Sequence, residues 1–241
     1  MKRSDLLKQF YRLLEQAEAK FGLWDYDAFL SASAAGRFHR AGVYFFFEQG
    51  ELREGMKRWH RVTRVGTHWN KAAKETSSAT LVRRLKNHYG REDGENGENS
   101  IFRGHVGSAI SGNPDWWDLK VADPSAYASL HKAVSDHIRK KMSFVLVPVD
   151  DPPSPVSDRG LIEMGAISLL TNFPYRDEFQ IDPPSADWLG RKSLGKSGDG
   201  RRIALSGLWN SIGVDQSPDP SVLERMRYWI EKSSSSPEGL V

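Results

Sequence analysis

The sequence predicts a mixed α/β domain, and three observations carry that prediction. Gly42-Val43-Tyr44-Phe45-Phe46-Phe47-Glu48 is a dense run of β-forming residues, and His60-Arg61-Val62-Thr63-Arg64-Val65-Gly66-Thr67 alternates and stops at glycine. The polar residues between them contain Gly50 and Gly55, so 49–58 reads as a hairpin loop. A third strand, Ser143-Phe144-Val145-Leu146-Val147-Pro148-Val149, lies far downstream, with helical periodicity between it and the hairpin and again after it.

Taken in order, residues 4–20 read as a helix. Ser4 can cap it, and Leu6, Leu7, Phe10, Leu13, Leu14 and Ala17 have helical spacing. The aromatic segment 21–29 is expected to pack this helix onto the body. Strands follow at 42–48 and 60–67. Thr76, Ser77 and Ser78 precede a basic helix over about 79–89, which Gly90 ends. Residues 91–99 are a polar loop. Residues 100–110 have a helical pattern weakened by two glycines. An irregular insertion with Trp116 and Trp117 covers 111–125, and a second helical stretch covers 127–140. The 143–149 strand is apolar on both faces and therefore central, with Pro148 near its end. Residues 158–171 are an apolar helix with Glu163 embedded in it. The remainder, 172–241, reads as loops with one helix near 219–232 and a disordered end at 233–237.

A chain of 241 residues is long enough for one sizeable core with appendages. It has no cysteine, which excludes disulfides and thiolate metal sites. No apolar run approaches the ~20 residues that span a bilayer. The first residues lead into an amphipathic pattern rather than a signal-peptide core, so a cytoplasmic location is expected. A net charge of +3 permits nucleic-acid binding without demanding it. The basic residues crowd into one third of the chain: Arg53, Lys57, Arg58, Arg61, Arg64, Lys71, Lys74, Arg83, Arg84, Lys86 and Arg91. They form either a solvated face or a track for phosphates. No Walker-type glycine loop is present, so no nucleotide cofactor is implied.

Several residues are candidates for chemistry. Strand alternation puts Tyr44 and Phe46 on one face. Tyr44 is either a core tyrosine or a base, and base work needs a lowered pKa or a neighbour that accepts its proton. Arg84 and His88, four apart, share a helix face. A guanidinium there matches phosphate oxygens in pairs, and a histidine can relay a proton. Glu163 is either a dipole-favoured acid or a carboxylate buried with a partner, and Mg²⁺ is such a partner. His68 and His105 lack metal-ligand spacing and read as structural.

Three stretches together resemble the GIY-YIG nuclease family. Gly42-Val43-Tyr44 is similar to the first triplet. Arg64-Val65-Gly66 is similar to the second, with Arg64 in place of its tyrosine. Leu81-x-x-Arg84-Leu85-x-x-His88 resembles the first helix. The likeness is strongest over 42–88 and extends more loosely to about 172. It implies a small three-stranded antiparallel sheet flanked by helices, with a helical extension at 1–40, a nuclease core at 41–172 and an irregular extension at 173–241 packing on it. It further implies a divalent-metal-dependent endonuclease, using Mg²⁺ or Mn²⁺, that cuts DNA (RNA remains open) as a monomer or homodimer, in a restriction or defence setting. The resemblance makes Tyr44 the water-activating residue, Arg84 the phosphate ligand and Glu163 the metal ligand. His88 corresponds to a histidine of some restriction-enzyme members, and Arg64 assists. An asparagine after the helix that carries Glu163 completes the site. Asn172 and Asn210 both fit, and Asn210, in Gly207-Leu208-Trp209-Asn210, is preferred. Tyr44, Arg84 and Glu163 are expected to converge on one open cleft. The competing expectations are a non-catalytic nucleic-acid-binding module on the same scaffold and an interaction domain built around the aromatic flanks.

Overall fold

A computed structural model describes residues 2–53, 60–68, 80–90, 100–152, 154, 156–175, 180–195 and 199–235. Among these, the helices are α1 (Arg3–Phe21), α2 (Tyr26–Ala34), α3 (Leu81–Tyr89), α4 (Ile101–Ser111), α5 (Leu119–Ala122), α6 (Pro124–Lys141), α7 (Asp158–Leu170), α8 (Asp199–Ser206) and α9 (Ser221–Lys232). The strands are β1 (Leu23–Trp24), β2 (Gly42–Leu52), β3 (His60–Thr67) and β4 (Met142–Pro148).

The strands form one antiparallel sheet in the order β1-β4-β2-β3. The sheet has four strands rather than the three expected, because the two residues of β1 pair with Val145 and Phe144 of β4. β4 is thereby internal, as its two apolar faces require. β2 runs on to Leu52, so the strand takes in the start of the expected 49–58 loop.

Alternation along β2 and β4 sorts the aromatic run into two cores. Val43, Phe45, Phe47, Val145 and Val147 pack with α1, α7 and α9. Tyr44, Phe46, Phe144 and Leu146 pack with Leu81, Leu85, Phe102, Val106, Val134 and Ile138 of α3, α4 and α6. The result is a sheet covered by helices on both faces. Residues from both flanks of the expected core join these two clusters, Leu6 and Phe10 from one side, Trp209 and Met226 from the other.

Ser4 does not cap α1. The N-cap is Lys2, which makes no side-chain capping bond. Arg3 works at a distance instead: its guanidinium donates to the carbonyls of Leu169, Leu170 and Thr171 at 3.0, 3.1 and 2.7 Å. Those carbonyls lie at the C-terminal end of α7 and lack intrahelical partners, so Arg3 closes the end of the helix that carries Glu163.

The 173–241 stretch is more ordered than loops with one helix. α8 occupies the Gly-, Lys- and Arg-rich part, and the segment after it lies along the edge of β3. Trp209 N–H donates to Thr63 O at 2.7 Å, and the Asn210 side chain pairs with Val65, accepting from its N–H at 3.0 Å and donating to its carbonyl at 2.9 Å. An exposed strand edge invites pairing with other chains, and here the chain covers its own. Lys57, Arg58, Lys71, Lys74, Arg91, the 91–99 loop and residues 76–78 lie outside the described residues, as do 236 and 237 of the expected disordered end. The described N-cap of α3 is Thr80, whose side chain accepts from Arg83 N–H.

Candidate active site

Register places the site at one end of the β2–β3 hairpin. Tyr44 stands directly opposite Gly66, and Phe46 opposite Arg64, so Tyr44, Phe46 and Arg64 share a face. The second triplet's glycine has a steric reason. A Cβ at position 66 would lie 2.3 Å from the Tyr44 hydroxyl oxygen, so the phenol occupies the space that a side chain would need.

α3 crosses this face. Its last turn brings the His88 imidazole Nε2 to 2.7 Å from the Tyr44 hydroxyl, and both residues are fully buried. Ser100 Oγ lies 2.8 Å from the other ring nitrogen, Nδ1. Burial holds the His88 pKa well below its ordinary value, and the cations Arg64, Arg84 and Arg103 lower it further. The ring is therefore neutral at physiological pH, with one nitrogen free to accept a proton.

Arg64 acts electrostatically on the same phenol. It donates through Nη1 to Trp209 O at 3.1 Å and stacks over the Phe102 ring at 4.6 Å, and its buried Nε has no hydrogen-bond partner among the described residues. Burial lowers its pKa. Tyr44 opposes that, Arg84 adds to it, and Glu163 opposes it. Guanidinium remains charged regardless. Arg84 also presents a buried Nε with no partner among the described residues. It sits one turn before His88 on α3 and acts electrostatically on Arg64, His88 and His68. Glu163 comes from α7, whose start is capped by the Ser157 hydroxyl accepting from Gly160 N–H.

The structure thus gathers Tyr44, Arg64, Arg84, His88 and Glu163 into one electrostatic neighbourhood. The expected cleft is not open at Tyr44, which has no exposed surface; Arg84 and Glu163 are the half-buried members. Asn210 joins through Val65, next to Arg64. Asn172 does not: its side-chain oxygen accepts from Arg3 and from Ile181 N–H. His105 is near Arg64, and its pKa is pushed down to about 4 by burial and by that cation. His68 lies near Arg84 and Arg159, and burial lowers its pKa first of all.

A family description, GIY-YIG domain, matches residues 1–236. The chain belongs to the GIY-YIG family. No curated protein and no solved structure matches it. Membership in the GIY-YIG family makes it a nuclease by lineage and accounts for the ordered triplets. The departure at Arg64 is a substitution within the GIY-YIG pattern and leaves the hairpin intact. Sequence reading missed Ser100 and Arg103 beside His88. Ser100 is recognisable as the N-cap of α4, accepting from Arg103 N–H at 3.3 Å, but its reach to His88 is a tertiary contact.

Proposed function

We propose that the protein is a divalent-metal-dependent endonuclease that hydrolyses phosphodiester bonds in DNA, in a restriction or defence role. The observation that carries this is the buried Tyr44 hydroxyl 2.7 Å from Nε2 of the neutral His88 imidazole, in the field of the Arg64 guanidinium. It supplies the proton-accepting neighbour that a tyrosine needs in order to act on water at neutral pH.

In this reading Tyr44 takes a proton from the attacking water as its own passes to His88. Arg84 donates to the scissile phosphate and stabilises the charge that grows there. Arg64 adds positive potential beside the phenol. Burial keeps these fields strong, and an arriving phosphate draws the two guanidinium groups outward and admits water to Tyr44. The same phosphate offsets the cations that depress His88, so the imidazole becomes more basic once substrate is bound.

The donor set fits a hard divalent ion. Glu163 is the carboxylate of the group, and Mg²⁺ commonly takes one or two carboxylates together with substrate phosphate and water. Among the described residues no group of three or more His, Cys, Asp or Glu could hold a metal ion, so the ion would depend on a single carboxylate with substrate phosphate and water. Glu163 would therefore hold the ion, which would supply charge stabilisation at the leaving oxygen. The core at 41–172 provides all of these groups, and the 173–241 extension adds Asn210, which pins β3 behind Arg64.

The test is incubation of purified protein with plasmid DNA and with RNA, in Mg²⁺, Mn²⁺ and EDTA. Metal-dependent nicking of DNA is expected, weakening as salt rises. Arg64 in place of the tyrosine and the complete burial of Tyr44 favour the second reading, a non-catalytic binding module. That reading predicts a gel shift with no cutting in either metal.

A further inference from the structure

We infer that Ser100 is a positioning residue of this centre, fixing His88 with its proton on Nδ1 so that Nε2 is free to receive the proton of Tyr44. The inference rests on the proposed nuclease reading for its purpose but not for its geometry.

Hydrogen counting carries it. The Arg64 guanidinium that acts on Tyr44 carries only donors, so it cannot take the phenol hydrogen. The phenol hydrogen is buried and has His88 Nε2 as its acceptor at 2.7 Å. Nε2 must then present a lone pair, and the proton of the neutral ring resides on Nδ1. Nδ1–H points at Ser100 Oγ, 2.8 Å away. That oxygen is already an acceptor, because it caps α4 by taking the Arg103 N–H at 3.3 Å. Which nitrogen of a histidine is free depends on the bond made by the other, and here that other bond is to Ser100.

The first turn of α4 grips His88 twice. Ser100 orients its ring, and the Arg103 guanidinium donates to its carbonyl at 3.2 Å. Arg103 is itself held by His131 O at 3.2 Å and Ser135 Oγ at 2.9 Å. Gly90 makes room for it, since a Cβ there would fall 2.6 Å from Arg103 Nη1. In the proton transfer, the water O–H bond breaks as the phenol gains that proton, and the phenol O–H bond breaks as Nε2–H forms. The proton returns through the phenol oxygen to solvent when product leaves. A ring with its proton already on Nε2 could not take part.

The test is ¹⁵N NMR of the His88 ring in the wild-type protein without DNA, with His88→Asn to assign the signals. A neutral ring protonated at Nδ1 is expected, and protonation at Nε2 would overturn the inference. Ser100→Ala should mix the two tautomers and lower kcat by about tenfold to a hundredfold with little change in KM, as when an orienting partner of a metal-bound histidine is lost. Ser100→Thr, which keeps the hydroxyl, should restore both. An unchanged tautomer and rate in Ser100→Ala would also overturn it. The NMR result does not depend on cleavage, so Nδ1–H in a wild type that cuts nothing would defeat the nuclease reading and leave the tautomer assignment standing.

Discussion

Tyr44 and Gly66 are direct cross-strand partners, and the phenol fills the volume where a residue-66 side chain would begin, 2.3 Å from the hydroxyl oxygen. Tyr44 cannot easily yield, because Phe46 packs edge-on at 5.5 Å and His88 holds its hydroxyl. Gly66→Ala should therefore destabilise the fold by about 1–3 kcal/mol through overpacking and nearly abolish cleavage. Urea unfolding and plasmid nicking measure the two effects. Unchanged values for both would show that the placement of Tyr44 is not what the site uses.

Arg64 makes three contacts of different kinds: an electrostatic interaction with Tyr44, a hydrogen bond to Trp209 O, and stacking on Phe102. A lysine keeps the charge but lacks the planar fork and the stacking face. Arg64→Lys should lose cleavage by about tenfold or more, close to Arg64→Ala, when an orienting contact of this sort is removed. Single-turnover rates decide it, and full activity in Arg64→Lys would reduce the residue to a point charge.

Stability should fall as the solution is acidified, well before carboxylates titrate. His105 has its folded-state pKa pushed down to about 4 from 6.5. A histidine held low contributes stability that is fully present above its ordinary value and is lost as pH drops towards the folded value, since the unfolded chain binds the proton first. The full loss is about 3 kcal/mol. His88, also held low, acts in the same direction. Chemical denaturation between those two pH values should show the decline, and His105→Asn should flatten it.

Glu48 ties the far end of β2 to the C-terminal segment. Its carboxylate accepts from the indoles of Trp188 and Trp209 and pairs with His137, each at 2.9 Å. Burial alone would raise its pKa, but bonds from His137, Trp209 and Trp188 reverse that and hold it below the usual carboxylate value. The clamp is complete above the ordinary carboxyl pKa and is lost as pH falls through the lower folded value. Glu48→Gln removes the charge and one of the two acceptor oxygens, turning an NH2 towards His137 or the indoles, and should cost about 1–3 kcal/mol at neutral pH. The melting temperatures of variant and wild type should converge in acid. Cleavage should fall as well, because the Trp209 carbonyl holds Arg64.

What could be read from the chain was local. The β2–β3 hairpin, α3 and α7 announce themselves through periodicity and end signals within a dozen residues. α2 was hidden in an aromatic run that reads as filler, although Asp25 at its start accepts from Ala28 N–H at 2.8 Å, a capping signal present in the sequence. β1 owes its existence to pairing with β4 rather than to its own two residues. α8 formed in a stretch rich in Gly, Lys and Arg, and its Ile203 is buried in the second core, the cluster that also holds Trp188 and Trp209. Tyr44, Arg84 and His88 were nameable through the ordered motifs, and Glu163 as the acid embedded in an apolar helix. The bond from Arg64 to Trp209 crosses 145 positions, and no local pattern encodes it.

Mg²⁺-dependent plasmid cleavage by Glu163→Ala, beside a wild-type control and with folding checked by circular dichroism and thermal melting, tests the central claim most directly. A folded variant that binds DNA but cuts it at least about a hundredfold more slowly is the predicted result, in line with the several kcal/mol a bound cation supplies to the transition state. A folded variant that cuts at the wild-type rate would contradict the claim that this carboxylate, with Tyr44 and Arg84, forms the catalytic centre.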